Sequence, residues 1–209
     1  MDEAVRDVFG TMCSALTKEA ERVRGFPSAA PLHLLAGLRG LAARSEAHLA
    51  HVLAHELSLA GYTTLVDEPY PIQHQKGKVR RFDLRIVIES APDPLFARFL
   101  TVELKRYLLL DHAMGGLLWD IKKLKEILAN DYGILNVPLG FLMVGFSHKE
   151  RDEWIRRRLS SFVGRAELGD WVHLEKDFRI APKEEPMNIC LVDFWFFSGE
   201  IRRAKDPMT

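Results

Sequence analysis

Two apolar segments on either side of a proline-containing break constrain the fold of this chain more than any other feature. The first, RFDLRIVIES, begins at Arg81, and the second, FARFLTVELKRY, ends at Tyr107. Apolar and polar residues alternate in both segments, as in half-buried β-strands, and the APDPL between them is typical of a turn. The sequence therefore predicts two adjacent antiparallel strands joined by a short connection.

Three ionisable residues lie at matching ends of these two predicted strands. Asp83 is near the start of the first strand, and Glu103 and Lys105 are two residues apart near the end of the second. Residues two apart on a strand point to the same face, and antiparallel pairing brings the start of one strand beside the end of the other. We therefore expect Asp83, Glu103 and Lys105 to meet at one edge of the sheet.

Two carboxylates beside an ammonium group suit a hard divalent cation and a phosphate ester. Mg²⁺ is usually held by one or two carboxylates together with water and substrate phosphate oxygens. A lysine at such a site can hold an attacking water or stabilise charge that builds on a phosphate. The alternative is a solvated polar face, where a surface Glu–Lys pair contributes less than about 1 kcal/mol.

This pattern resembles the motif of the PD-(D/E)xK nuclease superfamily, which includes restriction endonucleases and archaeal Holliday-junction resolvases. The matching residues are Asp83 and, after an apolar strand, Glu103-Leu104-Lys105, and the resemblance covers roughly residues 44–130. It implies an α/β fold with a restriction-endonuclease-like mixed central sheet of five or six strands flanked by helices. It also implies that Asp83, Glu103 and the Leu104 carbonyl bind Mg²⁺ or Mn²⁺ and that Lys105 orients or activates water. The implied activity is hydrolysis of nucleic-acid phosphodiester bonds, with DNA as the expected substrate.

The segment before the first core strand reads as a helix that Ser45 caps and Gly61 ends. Its apolar stripe consists of Leu49, Val52, Leu53 and Leu57. At about 100° per residue, Glu56 falls inside this stripe and Glu46 lies at its edge. The resembling nucleases carry an acidic residue early in this helix that completes the metal site, which favours Glu46 over Glu56. A first-turn glutamate stabilised by the helix dipole is the alternative for Glu46.

Two further groups of polar residues flank this motif. One side of the same helix carries three histidines, His48, His51 and His55. We interpret them as a polar helix face rather than a Zn²⁺ site, because no pattern of further zinc ligands accompanies them. The loop before Asp83 carries four cations, Lys76, Lys78, Arg80 and Arg81. This loop is either a grip for the phosphate backbone of a nucleic acid or a solvated turn.

The rest of the chain completes an α/β pattern. Helices over residues 2–24 and 31–43 form an N-terminal helical extension, residues 1–44, which precedes a nuclease-like core domain of residues 45–209. The other predicted elements are strands at 62–70, 138–146, 171–180 and 187–197 and helices at 111–130 and 149–162. We expect the strand at 138–146 to run parallel to the one before it, because a helix connects them, and we assign Trp119 to the core.

Composition narrows the classes of function. The 29 Lys+Arg residues balance the 29 Asp+Glu residues, so local basic patches rather than net charge must bind any nucleic acid. Cys13 and Cys190 lack disulfide or metal spacing and read as buried thiols of a reducing cytoplasm. We expect a cytoplasmic protein with no membrane partner, because no apolar run approaches the ~18 residues of a membrane span and no secretory signal is present. The resembling nucleases often pair to cut both strands, which implies a homodimer.

Two alternatives to an active nuclease remain open. The first is a catalytically inactive nuclease-fold protein that serves as a nucleic-acid-binding or protein-assembly subunit. The second is an interaction protein that acts through its apolar last strand and its N-terminal helices. Uptake of a divalent ion at Asp83 and Glu103 separates an active nuclease from the first alternative, and a stable complex without nucleic-acid affinity favours the second.

Overall fold

The sheet and helices are seen in a computed structural model that describes residues 3–24, 39–69, 81–89, 98–108, 114–129, 139–185 and 187–197. Across these ranges, a six-stranded mixed sheet lies between two layers that together contain four α-helices. The elements in chain order are α1 Glu3–Arg22, a 3-10 turn Gly40–Ala43, α2 Glu46–Leu59, β1 Thr63–Pro69, β2 Arg81–Glu89, β3 Arg98–Leu108, α3 Met114–Ala129, β4 Leu139–Ser147, α4 Glu153–Ala166, β5 Val172–Arg179 and β6 Ile189–Phe197.

The strand order is β1-β2-β3-β4-β6-β5. β3 and β4, on either side of α3, are parallel, and every other neighbouring pair is antiparallel. This arrangement confirms the predicted mixed sheet and the predicted parallel passage. The very apolar last strand, β6, is buried because it lies inside the sheet between β4 and β5, and no second subunit is needed to cover it.

Helices α1 and α2 cover the first face of the sheet. α1 buries residues at intervals of three and four, as the period of an amphipathic helix requires: Val5, Val8, Met12 and Leu16. These side chains share one core cluster with α2 and with the even-numbered residues Leu84 and Val102 of the sheet. α1 is therefore part of the packing of this layer.

The predicted limits of α2 are confirmed. The Ser45 hydroxyl oxygen accepts a hydrogen bond from the His48 backbone N–H at 3.2 Å, which satisfies one of the amide groups left without a partner at a helix start. Gly61 follows the helix with a φ of +94°, a conformation that glycine adopts without a Cβ penalty.

Helices α3 and α4 cover the second face of the sheet. Their buried side chains are Leu117, Ile121, Leu124, Ile155, Leu159 and Phe162, which pack in one cluster with Phe141 and Trp195. Asp152 caps α4 by accepting a hydrogen bond from the Ile155 backbone N–H at 2.9 Å. The buried residues recur at helical spacing in both helices, which is the pattern that predicted them.

The prediction that Trp119 belongs to the core is wrong, because its side chain is 55% exposed. At about 100° per residue, Trp119 lies roughly opposite Leu117 and Ile121, which face the sheet. The Nζ atom of Lys122 lies 5.8 Å from the centroid of the indole ring. The helical period, rather than the aromatic residue type, decides where this side chain points.

Some predicted segments fall partly or wholly outside the described residues. The predicted helix at 31–43 is described only from residue 39, where a 3-10 turn covers Gly40–Ala43. Residues 198–209, at the end of the predicted core domain, are outside them altogether. Among the helices that are described, none is both long and apolar enough to cross a membrane.

Candidate active site

Asp83 lies between two β2 residues, Phe82 and Leu84, that pack in different core clusters. In the described register, the pairing of β2 with β3 reaches Leu84, which is opposite Val102. One residue further, Asp83 Oδ2 accepts a hydrogen bond from the Leu104 N–H at 2.8 Å. A side-chain carboxylate thus bonds to the neighbouring strand where a β2 carbonyl would in a regular ladder. Phe82 packs with the cluster of the second face, whereas Leu84 packs on the first.

Glu103 occupies the position on β3 that corresponds to Asp83. Asp83 comes directly before Leu84 on β2 and Glu103 directly after Val102 on β3, and Leu84–Val102 is the last pair of the antiparallel register on this side. Both residues therefore lie where the pairing of the two strands stops. Glu103 is only 2% exposed, whereas Asp83 is half-buried. A carboxylate is costly to bury unless it is paired, hydrogen-bonded or bound to a metal.

Lys105 lies where both helical layers meet β3. Its Nζ atom is 2.8 Å from Asp120 Oδ2 on α3 and 3.3 Å from Glu46 Oε2 on α2. α2 covers the first face of the sheet and α3 the second, so the ammonium group joins carboxylates from opposite sides of the sheet. The Lys105 side chain is 23% exposed and is therefore accessible from solvent while largely desolvated.

Both carboxylate oxygens of Glu46 face β3. Oε1 accepts a hydrogen bond from the Arg106 backbone N–H at 3.0 Å, and Oε2 faces Lys105. Glu56, the other glutamate considered for this helix, pairs with Lys18 at 2.6 Å between α1 and α2. Glu46 is therefore the helix carboxylate that lies beside the E-x-K strand.

The two acids keep Lys105 in its cationic form. Burial lowers the pKa of the Lys105 ammonium, but the hydrogen bonds and charges of Asp120 and Glu46 outweigh burial and hold that pKa above its usual value. Lys105 is thus a hydrogen-bond donor at neutral pH. It can bind the oxygen of a water molecule or a phosphate, but it cannot accept a proton.

The donor set fits a hard divalent cation. Asp83 and Glu103 supply carboxylate oxygens, the ligand type that Mg²⁺ and Mn²⁺ prefer. Within the described residues, three possible ligands whose donor atoms all lie within 4.8 Å of one another are found elsewhere, at His173, Glu175 and Asp193. Asp83 and Glu103 do not belong to that group of three.

Of the four cations in the loop that was predicted to contact a phosphate backbone, only Arg81 is among the described residues. Lys76, Lys78 and Arg80 lie outside the described residues. Arg81 Nη1 donates a hydrogen bond to the Asp67 backbone carbonyl at 2.6 Å and lies 3.5 Å from the Asp67 carboxylate. This side chain, 49% exposed, binds β1 at the start of β2.

Asp120 is the site residue that sequence reasoning missed. It lies one residue before Ile121 and three after Leu117, at the border of the buried stripe of α3, and its side chain is only 14% exposed. An acid that borders an apolar stripe in the helix after an E-x-K strand is the signal that could have identified it. The apolar spacing predicts this helix, but no residue of it is among the predicted site residues.

A second charged cluster lies on the face of the sheet that α3 and α4 cover. It is centred on Asp193 of β6, which is fully buried. Asp193 Oδ1 lies 2.6 Å from Arg151 Nη1 and 2.9 Å from His173 Nε2, and Oδ2 accepts a hydrogen bond from the Tyr107 hydroxyl at 3.3 Å. The Arg151 side chain, 3% exposed, also pairs with Asp177 at 3.0 Å. An aspartate inside the very apolar β6 was the sequence signal for this cluster.

The histidines of α2 line a groove of about 420 Å³ between α1 and α2. His48 is 34% exposed, and its Nε2 atom lies 2.6 Å from Glu19 Oε1, so this residue is packed against α1. His51 and His55 are exposed, as a polar helix face requires. The three histidines thus lie on a polar side of α2, where His51 and His55 face solvent and His48 is half-buried in a polar contact with Glu19.

Comparison with known proteins gives no assignment of family, because no family model, curated protein or solved structure matches this chain.

Proposed function

We propose that the protein is a divalent-cation-dependent nuclease that hydrolyses phosphodiester bonds, with DNA as its expected substrate. The observation that carries this proposal is the arrangement of Glu46, Asp83 and Lys105 at one part of β3. Asp83 bonds to the Leu104 N–H at 2.8 Å, and Glu46 lies 3.3 Å from the Lys105 amine. Asp83 and Lys105 belong to the motif on which the resemblance to PD-(D/E)xK nucleases rests, and Glu46 is the helix carboxylate that this resemblance favours.

Each residue has a distinct part in the proposed reaction. Asp83 and Glu103 would hold Mg²⁺ or Mn²⁺, and the Leu104 carbonyl would add a backbone oxygen. When bound, such a cation polarises a phosphoryl oxygen and neutralises charge that develops in the transition state. Lys105 would donate a hydrogen bond to the attacking water or to a non-bridging phosphate oxygen, because its pKa keeps it charged at neutral pH.

The exposure of these side chains supports access by a polymeric substrate. Glu46 is 39% exposed and Lys105 is 23% exposed, so the carboxylate is open to a cation or a water molecule, and the ammonium group to a phosphate, that approaches from solvent. Glu103 is nearly completely buried, which would hold one ligand rigidly below the accessible residues. A rigid ligand fixes the position of a cation and of the groups that contact it.

Cleavage assays on purified protein test this proposal. Linear, circular and branched DNA are incubated with the protein in the presence of Mg²⁺, Mn²⁺ or EDTA. We expect metal-dependent cleavage that Glu103→Gln abolishes and Lys105→Ala lowers by about 100-fold or more. Lys125→Ala is the matched control, because Lys125 also pairs with an acid, Glu167 at 3.0 Å, but on the surface of the second layer. Unchanged cleavage in both site variants would exclude the mechanism.

A catalytically inactive protein of this fold, acting as a nucleic-acid-binding or assembly subunit, is the second candidate. One observation favours it: the ion pairs of Lys105 with Glu46 and Asp120 also join α2, β3 and α3. Calorimetric titration with Mn²⁺ separates the two candidates. Uptake that Glu103→Gln removes supports the nuclease, and a folded protein that takes up no cation and cuts no substrate supports the inactive subunit.

A further inference from the structure

We propose that Asp120 is a positioning residue for Lys105, and that it keeps the lysine in place when Glu46 turns to another partner. The catalytic meaning of this inference rests on the proposed function. The contacts that carry it join side chains of the protein itself, so they can be tested separately from cleavage.

Distances and exposure make Asp120 the stronger partner of Lys105. Asp120 Oδ2 lies 2.8 Å from the Lys105 Nζ atom, and Glu46 Oε2 lies 3.3 Å from it. Asp120 is 14% exposed and Glu46 is 39% exposed. An ion pair that is shorter and less accessible to water is less screened, so the contact with Asp120 is the less screened of the two.

Glu46 has a second anchor on β3. Its Oε1 atom accepts a hydrogen bond from the Arg106 backbone N–H at 3.0 Å, independently of the contact of Oε2 with Lys105. Oε2 can therefore turn away from Lys105, toward a cation or a water molecule, while Oε1 stays bound to β3. Lys105 would then depend on Asp120 to keep its position.

The packing of α3 fixes Asp120 for this purpose. Leu117 and Ile121, on either side of Asp120 along the helix, are 2% and 1% exposed and pack against the sheet. Rotation of α3 would remove both side chains from the core. The carboxylate is thus presented to Lys105 by a buried helix face, and this is the kind of support that a catalytic lysine needs for a defined geometry.

The first test uses unfolding of the full chain without divalent cations. Stabilities of wild type, Lys105→Met, Asp120→Asn and the double variant are compared by urea titration in a double-mutant cycle. We expect the double variant to lose clearly less free energy of unfolding than the two single variants lose together. In a second cycle, which pairs Lys105→Met with Glu46→Gln, we expect a smaller departure from additivity. Additive effects at Lys105 and Asp120, or a larger deviation for Glu46, would overturn the inference.

A second measurement separates positioning from stability alone. For cleavage-competent protein, Asp120→Asn should lower kcat at least tenfold with KM for DNA unchanged, and Asp120→Glu should restore most of the loss. Mn²⁺ affinity should fall in Glu46→Gln but not in Asp120→Asn. The inference would be overturned if Asp120→Asn had the kcat of wild type, or if it lost more Mn²⁺ affinity than Glu46→Gln does.

Absence of cleavage by wild type refutes the proposed function, whereas the unfolding cycle alone decides whether Asp120 holds Lys105. If Asp120→Asn does not fold, Asp120→Glu and Asp120→Ala replace it in the cycle.

Discussion

The Tyr107 hydroxyl on β3 donates a hydrogen bond to Asp193 Oδ2 on β6 at 3.3 Å, although β4 lies between the two strands. The ring passes over Gly145 of β4, where a Cβ atom would lie only 2.3 Å from Tyr107 Cζ. Burial and the negative charge of Asp193 raise the pKa of the Tyr107 hydroxyl well above its usual value, so it remains a donor. Because Gly145 on β4 has no side chain, Tyr107 on β3 can reach across it to bond with Asp193 on β6.

We expect Gly145→Ala to destabilise the protein by about 1–3 kcal/mol, because the tyrosine ring must move and the bond to Asp193 is then lost. Gly164→Ala in α4 is the matched control. Nothing lies within 4 Å of a Cβ placed there, and alanine should stabilise the helix by up to about 1 kcal/mol. Urea unfolding measures both changes, and a Gly145→Ala protein as stable as wild type would contradict the close approach.

Removal of Arg151 should be among the most damaging changes to a charged residue. Arg151→Met leaves Asp193 buried without its 2.6 Å ion pair, which we expect to lower the free energy of unfolding by about 3–5 kcal/mol. Arg157→Met removes a pair with Glu153 whose side chains are 74% and 79% exposed, and should change stability by less than about 0.5 kcal/mol. Equal losses in the two variants, measured by urea unfolding, would refute the buried network.

The α1–α2 contact should make stability depend on acid pH. Burial raises the pKa of Glu19, but hydrogen bonds from Arg22 and His48 outweigh it, and the pKa lies below its usual value of 4.5. A carboxylate with a lowered pKa in the folded state contributes stability above its unfolded pKa, and that contribution is lost as the pH falls through the folded pKa.

The Glu19→Gln variant isolates this contribution. It should be less stable than wild type at pH 7, and the difference should shrink well below pH 4.5. Urea unfolding at several pH values between these limits provides the measurement. A difference that stays constant over this range would show that Glu19 does not carry the effect.

Both cysteines should be inert in the native protein. Burial raises the pKa of Cys13 to about 12 and that of Cys190 well above its usual range, so neither forms the thiolate that reacts. We expect no reaction with Ellman's reagent in mildly alkaline buffer until a denaturant unfolds the chain, when two thiols react. Rapid labelling of native protein would contradict the burial of these side chains.

Local patterns predicted most of the described elements because they depend only on neighbours along the chain. The cap at Ser45, the helix end at Gly61 and the alternation of β2 and β3 are of this kind. Trp119 shows the limit of residue type as a guide. Its exposure follows from its angular position on α3. The spacing of the apolar residues in the sequence indicates that position, whereas the aromatic residue type suggests burial.

The sequence by itself determined that Asp83 and Glu103 lie on neighbouring antiparallel strands, beside the last paired residues Leu84 and Val102, because the alternation of apolar residues identifies both strands. Only the tertiary structure decided that Asp120 and Glu46 reach Lys105 from opposite faces of the sheet, and that Arg151 reaches Asp193. These contacts depend on how each helix is rotated and placed when its apolar face packs on the sheet. That placement is set by the fit of many side chains far apart in the chain, which no local spacing records.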